Sequence, residues 1–159
     1  MVTHDRTEAY RLCDRLAVTD AGKVVALKDT KALFSDPESR QVALITGCKN
    51  IADARKIGAY EVDVPEWGVR LSTALPLWEG LCAVGVQAHY FHPDIMHNRF
   101  PVRFKGEMEE PFEHAFQFRY ENQSPGSPDI WWRVPKTGSS VQLPAELGVG
   151  PASVMPLYC

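Results

Sequence analysis

The stretch Ala115–Tyr120, which reads AFQFRY, alternates apolar and polar side chains and is the clearest indication of the fold class. Its aromatic side chains, Phe116, Phe118 and Tyr120, occupy every second position. Successive side chains of a β-strand point to opposite faces, so a period of two predicts a strand with one face toward a core. We therefore expect a β-strand here, with the three aromatic side chains on one face.

Similar short runs follow each other through most of the chain and are separated by turn residues. The other predicted strands are Ala59–Val64, Val69–Leu71, Leu81–His89, Phe100–Lys105, Ile130–Val134 and Ser140–Leu143. All but one of the prolines lie between Pro65 and Pro156, where helical periodicity is weak. Short strands with frequent turn residues are typical of a small β-sandwich or barrel.

The first 50 residues have a different pattern, in which helices alternate with strands. Asp5 and Glu8 have the spacing of a capping box and predict the start of a helix. After this helix we predict a hairpin of two strands, Leu16–Val18 and Val24–Leu27, which flank the turn Asp20-Ala21-Gly22-Lys23. Helices are predicted at Lys31–Phe34 and from Pro37 to Gly47. Because the pattern changes near residue 50, we predict two domains, comprising residues 1–50 and 51–159.

Composition limits the kind of protein. Apolar residues make up 45% of the chain, which is enough for a packed core, and the net charge of −3 argues against a nucleic-acid partner. No apolar run is long enough to span a bilayer, and the polar segment Thr3–Arg6 does not fit a signal peptide. The cysteines, Cys13, Cys48, Cys82 and Cys159, form no C-x-x-C pair, so we expect reduced thiols and a cytoplasmic location.

An ordered set of motifs near the N terminus resembles the switch-histidine region of ABC transporter ATPases. The residues that carry the resemblance are Val2-Thr3-His4-Asp5, Glu8-Ala9, Asp14-Arg15-Leu16-Ala17-Val18, Gly22-Lys23 and Asp36-Pro37. In that family the histidine hydrogen-bonds the γ-phosphate of ATP, which implies this role for His4 in an intact subunit. An imidazole offers a directional donor to a phosphoryl oxygen. The alternative interpretation is a helix N-cap with a nearby exposed histidine.

Other ATPase motifs of that family are absent from the chain. It contains no G-x-x-x-x-G-K-[ST] phosphate loop, no S-G-G-Q signature and no apolar strand that ends in Asp-Glu. We therefore expect no ATP hydrolysis by this chain alone, and no cofactor in it. The resemblance implies that ATP and Mg²⁺ bind the intact subunit, which forms a homodimer. It also implies that this subunit docks on a membrane permease at the cytoplasmic face of the inner membrane.

The rest of the chain resembles the C-terminal regulatory domain of importer ATP-binding subunits, a TOBE-type, OB-like barrel. Thr46–Ile51 (TGCKNI) resembles the start of that domain, whereas Ala83–Phe91 (AVGVQAHYF) and Trp131–Lys136 (WWRVPK) resemble strands of its molybdate-type members. Gln87 replaces an arginine that is usual in the family, and the S-A-R-N-x-L motif of small molybdate-binding domains is absent. The resemblance implies an α+β chain, in which a short α/β remnant of an ABC ATPase domain precedes an all-β OB-like small barrel. That barrel would regulate molybdate or tungstate import.

A bound oxyanion such as molybdate or tungstate requires several oriented N–H or O–H donors and modest positive charge. The candidate donors are Lys49, Asn50, Lys136, Ser139 and Ser140. Gly138 permits the backbone beside the two serines to turn its amides inward, as in an anion-binding nest. The alternative interpretation of this last segment is a polar hairpin loop without a ligand.

Two further groups of polar residues have structural interpretations. The histidines between His89 and His97 lack the additional ligands of a zinc site, so no metal is predicted. The glutamates between Glu107 and Glu113 are interpreted as a solvated turn rather than as catalytic carboxylates. The alternative functions are a free-standing cytoplasmic small-ligand-binding module and a metal-dependent enzyme.

Overall fold

A computed structural model describes residues 1–138 and 141–159 and shows a mostly β protein. The helices of the described residues are Arg6–Leu12 (α1), Thr30–Ser35 (α2) and Arg40–Ile45 (α3), with single 3₁₀ turns at Ala88–Tyr90 and Pro151–Ser153. None of these helices is long and apolar enough to cross a membrane.

The strands occupy the chain between and after the helices. The first two are Arg15–Asp20 (β1) and Lys23–Asp29 (β2). The later strands are Asn50–Asp53 (β3), Arg55–Gly58 (β4), Glu61–Val64 (β5), Val69–Ser72 (β6), Leu81–Val86 (β7), Phe91–His92 (β8), Phe100–Glu109 (β9), Glu113–Tyr120 (β10), Ile130–Pro135 (β11), Glu146–Val149 (β12) and Met155–Tyr158 (β13).

β1 and β2 form the predicted hairpin. Asp20 pairs with Lys23 across a turn in which Ala21 and Gly22 have φ values of 49° and 77°. Two positive φ values are typical of the type I′ turn, whose twist matches that of the flanking strands. α2 packs against both strands of the hairpin. The buried residues of this first core are Val18, Leu33 and Val42.

α1 begins where the capping spacing predicts, but only half of the capping box forms. The Asp5 carboxylate accepts a hydrogen bond from the Glu8 N–H (3.0 Å). The Asp5 N–H donates to the Thr3 hydroxyl (3.0 Å), and that hydroxyl donates in turn to the Glu8 carboxylate (2.8 Å). α3 begins later than predicted, at Arg40, because the Ser39 hydroxyl caps the first turn of the helix.

The strands after residue 49 form three antiparallel sheets in the described part of the chain, arranged around one main core. Their strand orders are β11-β10-β9-β12-β8, β13-β7-β3 and β4-β5-β6. β10 alternates as predicted: Phe116, Phe118 and Tyr120 are buried in the main core. Only Ala54 separates β3 from β4, so the chain passes directly from one sheet into the next. This mostly β architecture is consistent with an OB-like domain.

The predicted strand Leu81–His89 is too long at its C-terminal end. β7 ends at Val86, and the following 3₁₀ turn leaves Tyr90 half exposed and Phe91 buried. This turn redirects the chain so that Phe91 pairs with Val149 in β12 and fills the main core.

The predicted solvated turn between Glu107 and Glu113 is also wrong over most of its length. β9 continues to Glu109 and pairs with β10. On this sheet the Glu107 carboxylate contacts His114 Nδ1 (2.7 Å), and the Glu109 carboxylate contacts the Lys136 ammonium (2.6 Å). Of the predicted strand Ser140–Leu143, residues 141–143 form no strand, whereas Ser140 lies outside the described residues.

The prediction of four reduced thiols is wrong for one pair of cysteines. Cys82 in β7 and the C-terminal Cys159 form a disulfide, with Cα atoms 6.0 Å apart, whereas Cys13 and Cys48 are free. The pairing of β13 with β7 brings the two cysteines together, although 77 residues separate them in sequence. Spacing along the chain gives no indication of this contact.

A smaller core contains residues from both sides of position 50. Ala43 of α3 and Cys48 pack there with Ala83, Met155 and Leu157 from β7 and β13. Burial raises the pKa of Cys48 to about 11, so this side chain is a neutral thiol. The division into two domains near residue 50 stays a prediction.

Candidate functional site

His4 is exposed and lies two residues before the start of α1. The Asp5 carboxylate caps the helix immediately after it, which fixes the direction of the chain at this point. The Arg6 side chain donates a hydrogen bond to the carbonyl of Ile45 (2.7 Å) and thereby holds the start of α1 against the end of α3. The candidate switch histidine is therefore on a surface of the first part of the chain, close to two helix ends.

Large apolar side chains are exposed throughout this first part of the chain. They are Met1, Val2, Tyr10, Leu12, Val24, Val25, Leu27, Leu44 and Ile45. Val2, in the motif that contains His4, is 96% exposed, and Leu12, the last residue of α1, is 69% exposed. Exposed apolar surface of this kind is typical of a site that another protein surface covers.

Asn50, one of the predicted oxyanion donors, is buried and joins two strands. Its side-chain amide donates to the carbonyl of Trp131 (2.8 Å), and its side-chain oxygen accepts from the N–H of Trp131 (2.8 Å). These two bonds tie the start of β3 to the start of β11. The residues are 81 positions apart, so only the folded chain reveals the pairing.

The two predicted lysine donors lie at opposite ends of β11. The Lys49 ammonium lies 6.0 Å from the centre of the Trp131 ring, at the start of the strand, in the range of a cation–π contact. Lys136 follows the end of the strand, about 17 Å away at the rise of an extended chain, where its ammonium contacts the Glu109 carboxylate (2.6 Å). This hydrogen bond and the lysine charge lower the pKa of Glu109.

The structure therefore brings Lys49 and Asn50 together at one end of β11 and places Lys136 at the other. The remaining candidates, Ser139 and Ser140, lie outside the described residues. Among the described residues, Lys49 is the exposed cation that lies beside an aromatic ring and next to the buried Asn50.

A network of charged residues that the sequence does not reveal lies at the other end of this sheet. The Glu113 carboxylate contacts His89 Nε2 (2.9 Å) and the Arg133 guanidinium (2.9 Å). The same guanidinium contacts Glu110 (2.6 Å). Burial opposes ionisation of Glu113, but the hydrogen bonds from His89 and Arg133 outweigh it and lower the pKa of Glu113. Each charge has an opposite partner, so the network holds strands together rather than presenting a free acid or base.

Two of the histidines between His89 and His97 contact other groups. His89 belongs to the network around Glu113, and His92 Nδ1 accepts from the backbone N–H of Asp94 (3.0 Å). Within residues 1–138 and 141–159, no group of three or more His, Cys, Asp or Glu side chains is arranged to hold a metal ion.

Comparison with curated proteins shows what the chain is similar to, although no protein-family profile matches it. A putative 2-aminoethylphosphonate import ATP-binding protein of Salmonella paratyphi A is 39% identical over 61 residues, which are 38% of this chain and 16% of that protein. A molybdate/tungstate import ATP-binding protein of Pyrococcus horikoshii is 36% identical over 75 residues, which cover 42% of this chain and 22% of that protein. An Fe(3+) ions import ATP-binding protein of Haemophilus influenzae is 33% identical over 88 residues, which cover 54% of this chain and 26% of that protein.

Over part of its length, the chain is homologous to the ATP-binding subunits of ABC importers. It spans about a quarter or less of the length of these relatives. The relatives are named for the import of chemically different substrates, from an organic phosphonate to a metal ion. The shared feature is therefore the ATP-binding subunit and not the imported molecule.

Proposed function

We propose that this chain supplies the C-terminal part of an ABC importer ATP-binding subunit, from the switch-histidine region through a TOBE-type, OB-like regulatory domain. The partial similarity to importer subunits and the mostly β fold after residue 49 support the proposal. In the intact homodimer, His4 would contact the nucleotide, and the β-rich part would stabilise the dimer. The intact subunit would bind ATP and Mg²⁺. It would lie in the cytoplasm and dock on the cytoplasmic face of a membrane permease. This chain alone would not hydrolyse ATP.

The main observation that supports this proposal is the exposed apolar surface of the first 49 residues. Leu12, Val24 and Leu27 are 57–69% exposed, although they belong to the helix and hairpin that follow the histidine motif. Burying such side chains against another protein surface stabilises the assembly by roughly 25 cal/mol for each Å² removed from water. We infer that the rest of an ATPase domain covers this surface.

A chimera tests the proposal directly. Residues 1–159 replace the segment of the Pyrococcus horikoshii import ATP-binding protein with which they align in part, and ATP hydrolysis is measured with Mg²⁺. We expect the chimera to hydrolyse ATP and the isolated chain to be inactive. His4→Ala in the chimera should lower the rate on the order of 100-fold, as for the loss of a donor to a transition-state oxygen.

His92→Ala in the same chimera is the matched control, because His92 is also an exposed histidine but lies in the β-rich part. It should leave the rate unchanged. A folded chimera that retains its full rate with His4→Ala would exclude the switch role of this residue.

We further propose that the imported substrate is molybdate or tungstate and that this oxyanion binds at Lys49, immediately before the β-rich part. The similarity to the Pyrococcus horikoshii protein and the exposed position of Lys49 beside Trp131 support this step. Calorimetric titration of the chain with molybdate, tungstate, sulfate and phosphate tests it. We expect saturable binding of molybdate and tungstate alone, weakened about tenfold by Lys49→Gln and unchanged by Lys105→Gln. Equal binding of sulfate, or no binding of any oxyanion, would overturn it.

A further inference from the structure

A groove lies where the first part of the chain meets the β-rich part. Its volume is about 380 Å³, within the range of small-molecule sites. Asp36 and Glu38, from the segment between α2 and α3, form the acidic side of its lining. Trp78, from the connection between β6 and β7, and Tyr158 of β13 form the aromatic side of the lining. Three distant parts of the sequence therefore build this groove.

The acidic side of the groove carries more negative than positive charge. The Lys28 ammonium contacts the Glu38 carboxylate (2.7 Å) and lies at the limit of contact with the Asp36 carboxylate (4.0 Å). One ammonium thus faces two carboxylates. Burial raises the pKa of Asp36 despite the charge of Lys28, which shows that the contact with this lysine does not offset the desolvation of the carboxylate.

Backbone contacts hold the acidic side in a fixed position. Glu38 has a φ of 65°, a left-handed conformation that costs free energy for a residue with a side chain. Its carbonyl accepts a hydrogen bond from the Tyr158 N–H (2.7 Å), and Ser39 forms an isolated bridge with Tyr158. The groove is therefore set by the folded chain before any ligand arrives.

The aromatic side of the groove is exposed to solvent. Trp78 is 68% exposed, and its backbone N–H donates to the Tyr158 hydroxyl (3.1 Å), which joins the two aromatic residues. The face of an indole ring attracts cations, and the prolines Pro76 and Pro156 add apolar surface beside it. An exposed indole in the same groove as two carboxylates is a combination that suits an organic cation.

We propose that this groove binds a small organic monocation, a primary ammonium or guanidinium on a short apolar stem. The charged head contacts Asp36 and Glu38, and the stem lies against Trp78. An anion is disfavoured by the two carboxylates, and a neutral molecule of the same shape leaves Asp36 without a further counter-ion. This inference does not depend on the role of the chain in an importer.

Titration with four probes of similar size tests the proposal. The probes are butylammonium and butylguanidinium chloride, neutral 1-butanol and anionic sodium butyrate, at constant ionic strength. Intrinsic tryptophan fluorescence and thermal unfolding report binding. We expect a saturable fluorescence change with the two cations only. Because the groove exists only in the folded chain, a cation at ten times its Kd should raise Tm by about 3–6 °C.

Variants assign the binding to the groove. Asp36→Asn should weaken cation binding at least about tenfold, as expected for a charge-assisted contact, whereas Glu61→Gln, at an exposed acid of β5, should not change it. Lys28→Gln should tighten binding, because it removes the ammonium that competes for the carboxylates. Trp78→Phe should abolish the fluorescence change while the Tm shift remains.

Two results would overturn the proposal. The first is a Tm shift of equal size with 1-butanol, which would show that charge is irrelevant. The second is unchanged cation binding by a folded Asp36→Asn variant, which would place the binding elsewhere on the protein.

Discussion

The first 49 residues and the β-rich remainder bury their apolar side chains to different degrees. The core of the first part has three buried residues, Val18, Leu33 and Val42, whereas the main core of the β-rich part contains twenty. Among the described residues, half of the eighteen exposed large apolar side chains lie in the first 49 positions, although these are less than a third of the chain. The β-rich part forms its own core. The first part, in contrast, leaves many of its own large apolar side chains exposed.

This difference has a physical consequence. A segment with few buried apolar contacts gains little free energy to offset the entropy of ordering its backbone. We therefore expect the first part to be the less stable region of the isolated chain and to gain stability when another surface covers it. The predictions below test both sides of this comparison.

The largest effect is expected in the main core. Phe118 is completely buried and packs edge-on against Phe91 and Tyr120. Phe118→Ala should lower the free energy of unfolding by about 3–5 kcal/mol, as for other large truncations in a core. Urea unfolding measures it. Phe112→Ala, at an 88% exposed site, is the control and should change the free energy by less than about 0.5 kcal/mol.

A smaller but still clear effect is expected at Gly68. This residue has a φ of 66°, and a Cβ atom there would lie 2.1 Å from the carbonyl oxygen of Asn122. Gly68→Ala should therefore lower the free energy of unfolding by about 2–3 kcal/mol through backbone strain and this clash. Gly126→Ala is the matched control, because nothing lies within 4 Å of its Cβ position. Equal stability of the two variants would contradict the close approach of these two turns.

A gain in stability is expected at Tyr120. Its hydroxyl is buried and has no hydrogen-bond partner among the residues that the structure describes, and burial raises the pKa of this side chain. Tyr120→Phe removes the unpaired polar group and keeps the aromatic packing. We expect the free energy of unfolding to rise by about 1 kcal/mol, measured by urea unfolding. A loss of similar size would show that the hydroxyl makes a contact that stabilises the fold.

The smallest effect on stability is expected on the exposed surface of the first part. Leu12→Gln combined with Leu27→Thr should change the free energy of unfolding of the isolated chain by less than about 1 kcal/mol in total. The same two substitutions should lower the rate of ATP hydrolysis by the chimera, because they make polar the surface that the rest of the ATPase domain is proposed to cover. Strong destabilisation of the isolated chain would mean that these side chains already belong to a core.

The sequence predicts the elements that depend on neighbouring residues. The alternation in β10, the hairpin between β1 and β2 and the cap at Asp5 are all local patterns, and the structure confirms them. Strands β8, β12 and β13 are two to four residues long and are absent from the prediction. They exist because distant strands pair with them.

The candidate site is less predictable for the same reason. The bonds between Asn50 and Trp131, the disulfide of Cys82 with Cys159 and the groove beside Trp78 join positions far apart in the sequence. A local search for donors therefore identifies Asn50 as a free amide, although the fold uses both of its polar atoms. Only the residue type of a candidate donor, as at Lys49, is available from the sequence.

Amide hydrogen exchange on the isolated chain and on the ATPase chimera tests the central claim most directly. In the isolated chain, we expect amides of β7, β9 and β10 to exchange slowly, and those of α1 and the β1–β2 hairpin to exchange much faster. In the chimera, α1 and the hairpin should become protected while the β-rich part stays unchanged. Equal protection of both regions in the isolated chain, with no change in the chimera, would contradict the claim that the first part is built to be covered.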